Sequence, residues 1–531
     1  MTSNNEVNSF DSSWQLKYTR AAFLLIGGLA VFRLWLCTYF PILPDETYYW
    51  LWSKFLDWSY YSKGPLVAWT IRLGTALAGD TVFGVRWLAV ILHAATSLLV
   101  FYLAKRLFSA RAAFWTLVVS CALPLFAVGS VLMTIDPLSV FFWTAAAVVG
   151  WQAYEKNSWA AWLLTGSLVG LGFLAKFTNA IQGICFGIFL LLTRQGRHEL
   201  KTLKPWAAAI LSLLFTTPFW IWNSQHQWIT FDHLQSRGSL DHPFRISIRE
   251  FFQFLQMQAI VFSPLIWAGV MVATLWALKR VKNQGWQKLN QSDFVSVRWV
   301  YLLCHFLPLF GFFAVFALND SGQPNWTVPG YVTALIFSTA LWLEKEKFSP
   351  VEKGFVIAAL GLGFTMTMVL HVTEFLPLPP KLDPLTRVRG WKQLTQKVEE
   401  AQQEHYATFV IANRYQLASV ITWYRKGDRL AQRAYMAHNP EKIQNQFDFW
   451  PGYQDRVGQD AIFVTTVKHQ DKPPSNHPEE DYENAIKKQT PKTLRHEFRK
   501  VTPLGDSFWI EEKGKKIERF RLFLCEDFLG R

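Results

Sequence analysis

The chain has 531 residues, of which 51% are hydrophobic, 16% aromatic and only 17% charged, with a formal net charge of +14. Soluble globular chains carry about a quarter charged residues, so this composition excludes an ordinary water-soluble enzyme and points to a polytopic membrane protein. The positive charge does not signal nucleic acid, because Lys and Arg sit in short loops between apolar runs, not in arrays.

A polar start through Ser13 leads into a first apolar run at 21–40. Arg33 interrupts that run and no A-x-A-like site follows, so it reads as a retained span and not a cleaved leader. Hydropathy places about eleven spans near 21–40, 82–104, 112–132, 137–153, 159–175, 178–193, 206–222, 257–278, 299–318, 327–343 and 354–372. With a cytoplasmic N-terminus, about 18 Lys and Arg fall in inner loops and about 7 in outer segments. That bias is the one the positive-inside rule requires.

Two outer segments are long. The first, 41–80, includes LPDETYYWLWSKFLDWSYYSKGP (Leu43–Pro65), whose Trp- and Tyr-rich periodicity predicts helices lying in the membrane interface. The second spans 223–256. Residues 1–372 are thus expected to form the membrane domain. An odd number of spans puts 373–531 outside as a soluble α/β or α+β domain. Its predicted strands include ATFVIA (407–412), AIFVTT (461–466) and SFWI (507–510), and Trp391–Glu404 reads as a helix. The cysteines at 37, 121, 185, 304 and 525 suggest neither a disulfide framework nor a CxxC metal site.

The polar residues that stand out all lie on the expected outer side. Asp45 and Glu46 follow Pro44 at a helix start, where carboxylates favour the macrodipole. Successive helical side chains point about 100° apart, so the two cannot aim at one atom. One acting as a general base leaves the other to orient or bind. Lys63 in SYYSKGP is a snorkelling interfacial lysine or a cation for a phosphate leaving group. Asp136 in TIDPLSVFFW reads as a helix N-cap, or as an acid held at the edge of hydrocarbon for chemistry. Lys176, between two spans joined by almost no loop, is expected to point into a polar cavity. Arg237, Arg245 and Arg249, near His226, His233 and His242, hold a phosphate or cover lipid headgroups. The histidine spacing gives no i, i+4 metal pair. A phosphate-cradling G-x-x-x-x-G-K-[ST] loop and a G-x-S-x-G elbow are both missing, which removes cytosolic ATP hydrolysis and acyl-serine chemistry.

PDETYYW, SYYSKGPLVAW, TIDPLSVFFW, LGFLAKFTNA and QPNWTVPGY stand in that order. The series resembles the GT-C fold glycosyltransferases that use polyprenyl-phosphate sugars, in particular the protein-mannosyltransferase-like group that includes the lipid A aminoarabinose transferases. Where many relatives carry D-H-P-P or E-K-P, this chain has Ser62–Lys63–Gly64–Pro65. The resemblance implies a bacterial cytoplasmic-membrane enzyme with its site on the outer side. Its donor would be a polyprenyl-phosphate-linked sugar and its acceptor a glycolipid or a protein. Asp45 and Asp136 would line the reaction centre and Lys63 would hold the lipid phosphate. Lys176, and then Arg237 and Arg245, would assist. No cofactor is expected, a divalent metal being the alternative that some relatives use. The competing classes are a transporter or flippase, with charges at mid-bilayer in paired broken helices, and a catalytically silent lipid-binding protein.

Overall fold

The computed structural model describes residues 3–239, 243–290, 294–345, 347–373, 376, 383–437, 442–467, 489–512 and 514–530. They divide into two compact units, Met1–Tyr39 with Leu56–Val372, and Phe40–Phe55 with Thr373–Arg531.

The chain opens with α1 (Ser3–Leu36) and α2 (Pro44–Lys54), followed by α3 (Leu66–Ala78), α4 (Val82–Leu107) and α5 (Ala110–Cys121). Next come α6 (Pro124–Gly129), α7 (Ile135–Lys156) and α8 (Trp159–Ala175); a 3-10 turn at Phe177–Ala180 then leads into α9 (Ile181–Leu192). Beyond it lie α10 (Arg194–Glu199), α11 (Leu203–Phe215), α12 (Thr217–Gln225), α13 (Ile229–Arg237) and α14 (Ile248–Val261). The first unit closes with α15 (Pro264–Asn290), α16 (Phe294–Cys304), α17 (Leu307–Phe316), α18 (Val328–Glu344) and α19 (Pro350–Val372).

Among the described residues, seven helical stretches are long and apolar enough to cross a membrane, and four further apolar helices are shorter. The expected spans at 112–132 and 257–278 are each broken, before Pro124 and before Pro264. A ring nitrogen without hydrogen cannot continue the ladder of the preceding helix. Among the seven, α18 is the most enclosed, with 83% of its apolar window buried, and Phe262 stacks on its Tyr331 at 3.8 Å.

Small residues set the closest helix contact. A Cβ on Gly166 or Gly170 of α8 would stand 2.1 Å from the Ala208 carbonyl or 2.5 Å from that of Ser212, both on α11. This is the small-xxx-small logic by which helix backbones meet in lipid. Arg33, which interrupts the first apolar run, is only 6% exposed. It lines a cavity of about 10 Å³ with His93, Ser97 and Cys121, room for one water.

In the second unit β1 (Phe409–Ala412), β2 (Tyr435–Met436), β3 (Ala461–Thr466), β4 (Phe498–Pro503), β5 (Phe508–Glu512) and β6 (Lys515–Phe528) form one sheet of order β2-β1-β3-β6-β4, with β5 also on β6. The β1–β2 and β1–β3 pairs are parallel, and those of β6 antiparallel. Every residue of β1 is buried, as in strands covered on both faces. The helices α20 (Trp391–Glu404) and α21 (Tyr415–Tyr424) precede and follow β1, and α22 (Lys492–Glu497) leads into β4. In α20 Trp391, Leu394, Thr395, Val398 and Ala401 make one buried stripe at helical spacing.

The expected outer loop 41–80 is divided between the units. The aromatic row of α2 packs into the second one: Trp50 meets Trp423 edge-on at 4.9 Å and Tyr48 lies 4.3 Å from Tyr415. The Tyr48 hydroxyl accepts the Gln446 N–H at 2.9 Å. These rings pack into the core of the second unit, so this half of the loop groups with the C-terminal residues and not with the first unit.

Candidate functional site

The expected acids of α2 have separate fates. Asp45 is exposed in the first turn. Glu46 is fully buried, and its carboxylate accepts the Leu43 N–H at 3.0 Å, one of the helix-start donors that the helix itself leaves unpaired. This geometry gives Glu46 a structural task and leaves Asp45 the carboxylate open to solvent.

Asp136 sits in the first turn of α7 after Thr134, which, instead of Asp136, is the N-cap and accepts the Asp136 N–H at 3.3 Å. Both Asp136 carboxylate oxygens are engaged. One accepts the Lys176 ammonium at 2.8 Å and the other the Asn325 amide at 2.7 Å. Lys176 ends α8 in an extended conformation and is 7% exposed; its Nζ also donates to the Asn325 carbonyl at 3.4 Å. Burying an ammonium in this way requires such a partner.

The seam continues along α7 at helical spacing. The Ser139 hydroxyl donates to Asn179 at 2.6 Å, Asn179 donates to the Ser139 carbonyl at 2.9 Å, and Gln182 donates to the Trp143 carbonyl at 2.7 Å. Asn325 stands in the turn Pro324–Thr327 before α18. The buried Gln258 braces that turn, donating to the Pro324 carbonyl at 3.1 Å and accepting from Thr327 at 2.8 Å.

Lys63 comes to the same region through its neighbour. A Cβ on Gly64 would lie 2.0 Å from the Leu174 carbonyl, two residues before Lys176, so only glycine permits this approach. On the other side of Lys63, Tyr61 packs its ring 4.7 Å from His233 on α13. Burial, then the charges of Lys63 and Arg237, push the His233 imidazole down to about 4. Lys63, His233 and Arg237 therefore form one electrostatic group, in which the histidine is neutral at pH 7. In the same loop as Lys63, Asp57 accepts the Trp222 indole N–H at 2.7 Å, tying the loop to α12.

Arg237 and Arg245 are exposed. The Arg245 backbone N–H donates to Asn319 at 3.0 Å, and Ser239 donates to Asp320 at 2.9 Å, tying this loop to 318–322. His226 stacks on Trp222 at 4.0 Å, away from any ligand set, and His242 lies outside the described residues. Among the described residues no three His, Cys, Asp or Glu side chains gather as ligands for a metal ion. Asn325 and Asp57 are not singled out by the sequence, which names His233 only as a neighbour of the arginines. The QPNWTVPGY motif was the signal for Asn325; a lone Asp in an aromatic loop gave none for Asp57.

Residues 62–222, which carry Lys63, Asp136 and Lys176, match the family described as dolichyl-phosphate-mannose-protein mannosyltransferase. The lipid A galacturonosyltransferase RgtD of Rhizobium johnstonii is 29% identical over 327 residues, 61% of this chain and 65% of its own length. An undecaprenyl phosphate-α-4-amino-4-deoxy-L-arabinose arabinosyl transferase of Pseudomonas aeruginosa is 27% identical over 54% of this chain and 53% of its own. The chain thus spans between half and two thirds of these relatives. The crystal structure of ArnT from Cupriavidus metallidurans in the apo state aligns with a TM-score of 0.61 at 15% identity, over 95% of this chain and 98% of that one. The same protein bound to undecaprenyl phosphate aligns at 0.57 and 14%, over 94% and 97%. Helical architecture, ordered motifs and matched stretch agree: the chain is a multi-pass membrane protein of the GT-C fold, related to the lipid A glycosyltransferases.

Proposed function

We propose that this chain is a membrane glycosyltransferase acting at the outer face of a bacterial cytoplasmic membrane. It moves a sugar from a polyprenyl-phosphate donor to a hydroxyl or phosphate on a glycolipid of the lipid A type, or on a protein. The observation that carries the reading is the buried Lys176, held by Asp136 and Asn325, with the Lys63 turn packed through Gly64 against Leu174 two residues before it. Lys63 and Arg237, both close enough to His233 to act on its charge, suit a phosphodiester whose charge grows as the sugar leaves. Lys176 offers further ammonium hydrogens at this point, its charge balanced and its direction set by Asp136 and Asn325. With both oxygens occupied, Asp136 is a positioning residue and not the base. Arg245 extends the cationic loop.

A carboxylate takes the proton of the acceptor hydroxyl as it attacks the anomeric carbon opposite the leaving phosphate, so the configuration inverts; Asp45, exposed at the start of α2, is the candidate for that base. The relatives named above are transferases, which favours this reading over a transporter or a silent lipid-binding protein. The donor already carries its leaving group, so no nucleotide enters the reaction. Purified protein with an undecaprenyl-phosphate sugar and lipid A should show transfer by mass spectrometry. Lys63→Ala should lower turnover about 100-fold and Asp45→Asn by at least about 100-fold. Turnover surviving both changes would overturn the site assignment.

A further inference from the structure

A second set of features lies at the other end of the helix bundle. Asn325 precedes α18 and Lys345 caps its far end, after 17 helical residues, or about 26 Å of helix. There an apolar groove of about 240 Å³ opens between α5, α15, α18 and α19, with Trp115, Gly269, Leu335, Phe355 and Ala359 in its lining. Beside it is an open hollow of about 560 Å³ in whose lining Lys279, Arg280, Asn283, Glu344 and Lys345 join Trp276 and Leu341. The two meet at a tryptophan pair: Trp342 lines the groove, Trp276 lines the hollow, and their rings are 5.1 Å apart. Tryptophan at such a junction marks headgroup depth, with hydrocarbon on one side and charge on the other.

The charges around the hollow do not cancel. Arg280 pairs with Glu344 in a close contact, Arg298 lies 3.6 Å from the same carboxylate, and Lys345 pairs closely with Glu352. Lys279 is exposed on the rim. Among the described residues these four cations thus meet two carboxylates, a surplus of two, where a phosphodiester brings one negative charge.

We propose that this groove and hollow bind one anionic diacyl phospholipid, an acyl chain in the groove and its phosphodiester beside Lys279 and Lys345. The site is independent of the donor site and stands whether or not the transferase reading holds. Gly269 lines the groove where it is narrow, since a Cβ there would already touch the Phe355 ring at 3.5 Å, so a larger side chain fills it.

The full chain, purified and equilibrated with equal phosphatidylglycerol and phosphatidylcholine, is examined by native mass spectrometry. The expected result is preferential retention of one phosphatidylglycerol. Lys279→Ala should reduce that retention about fivefold, the effect of one cation near an anionic headgroup. Gly269→Phe, which fills the groove and leaves the charges alone, should abolish it with helicity by circular dichroism unchanged. Equal retention of both lipids would overturn the proposal, as would unchanged phosphatidylglycerol retention in Lys279→Ala. Displacement of the lipid by sn-glycerol 3-phosphate at equal concentration would also overturn it, because the groove would then contribute nothing.

Discussion

At the scale of single residues the ion pair of Asp136 and Lys176 is the most consequential contact. Lys176 is buried, so removing its carboxylate strands a charge; Asp136→Ala should cost about 3 kcal/mol of stability. Adding Lys176→Met should recover part of that loss, because the uncompensated ammonium is gone. Thermal unfolding of both variants checks this, and a double variant no more stable than the single one would contradict it. His233 makes a pH prediction of definite sign. Its folded value of about 4 lies below the ordinary 6.5, so the unfolded chain binds the proton first. Stability is therefore fully present above about pH 6.5 and is lost as pH falls towards 4. His233→Gln should flatten that slope when unfolding is followed from pH 7 to 4. The sequence named Lys63, Asp136 and Lys176 because charge at the edge of an apolar run is conspicuous. It could not separate Asp45 from Glu46, because exposure and capping are decided by which face of α2 meets the rest of the fold.

Between residue and fold, the elements are held by backbone approaches that no side chain can replace. Gly64 brings the Lys63 turn against the last turn of α8, and any Cβ there meets the Leu174 carbonyl. Gly64→Ala should leave Lys63 in the chain but displace its turn, lowering turnover while global helicity is kept; circular dichroism beside the transfer assay distinguishes these outcomes. Hydropathy found the apolar runs well, since a bilayer sets their length. It passed over the breaks before Pro124 and Pro264, because a window average smooths over one missing N–H. The strand runs 407–412, 461–466 and 507–510 and the helix at Trp391–Glu404 were legible from local patterns. Each is a short apolar or amphipathic segment bounded by polar residues.

For the whole molecule, the division of 41–80 is the main departure from the expected organisation. Trp50 is 1% exposed and packs on Trp423, so Trp50→Ala should destabilise the second unit by about 3–5 kcal/mol. Limited proteolysis of the full chain, followed at sites beyond residue 383, would register that loss; unchanged cleavage would refute it. The orientation proposed from the charge bias has its own test. In a cysteine-free background, Arg249→Cys should react with a membrane-impermeant maleimide in intact cells, and Asn283→Cys only after permeabilisation. The reverse pattern would invert the topology and remove the outer site with it.

Sequence alone determined that the chain lives in a membrane, roughly where its apolar runs lie, that a mixed strand and helix domain follows, and which charged residues invite chemistry. These properties are local: transfer of apolar side chains out of water and short-range periodicity are written in neighbouring residues. Tertiary structure decided that Asn325 completes the Asp136–Lys176 pair from 149 residues beyond the lysine. It also decided that Lys63 and Arg237 share one histidine, that Glu46 caps a helix, and that α2 packs with the C-terminal unit. Partners so far apart in the chain meet only through packing of the intervening helices, and no local pattern encodes that distance.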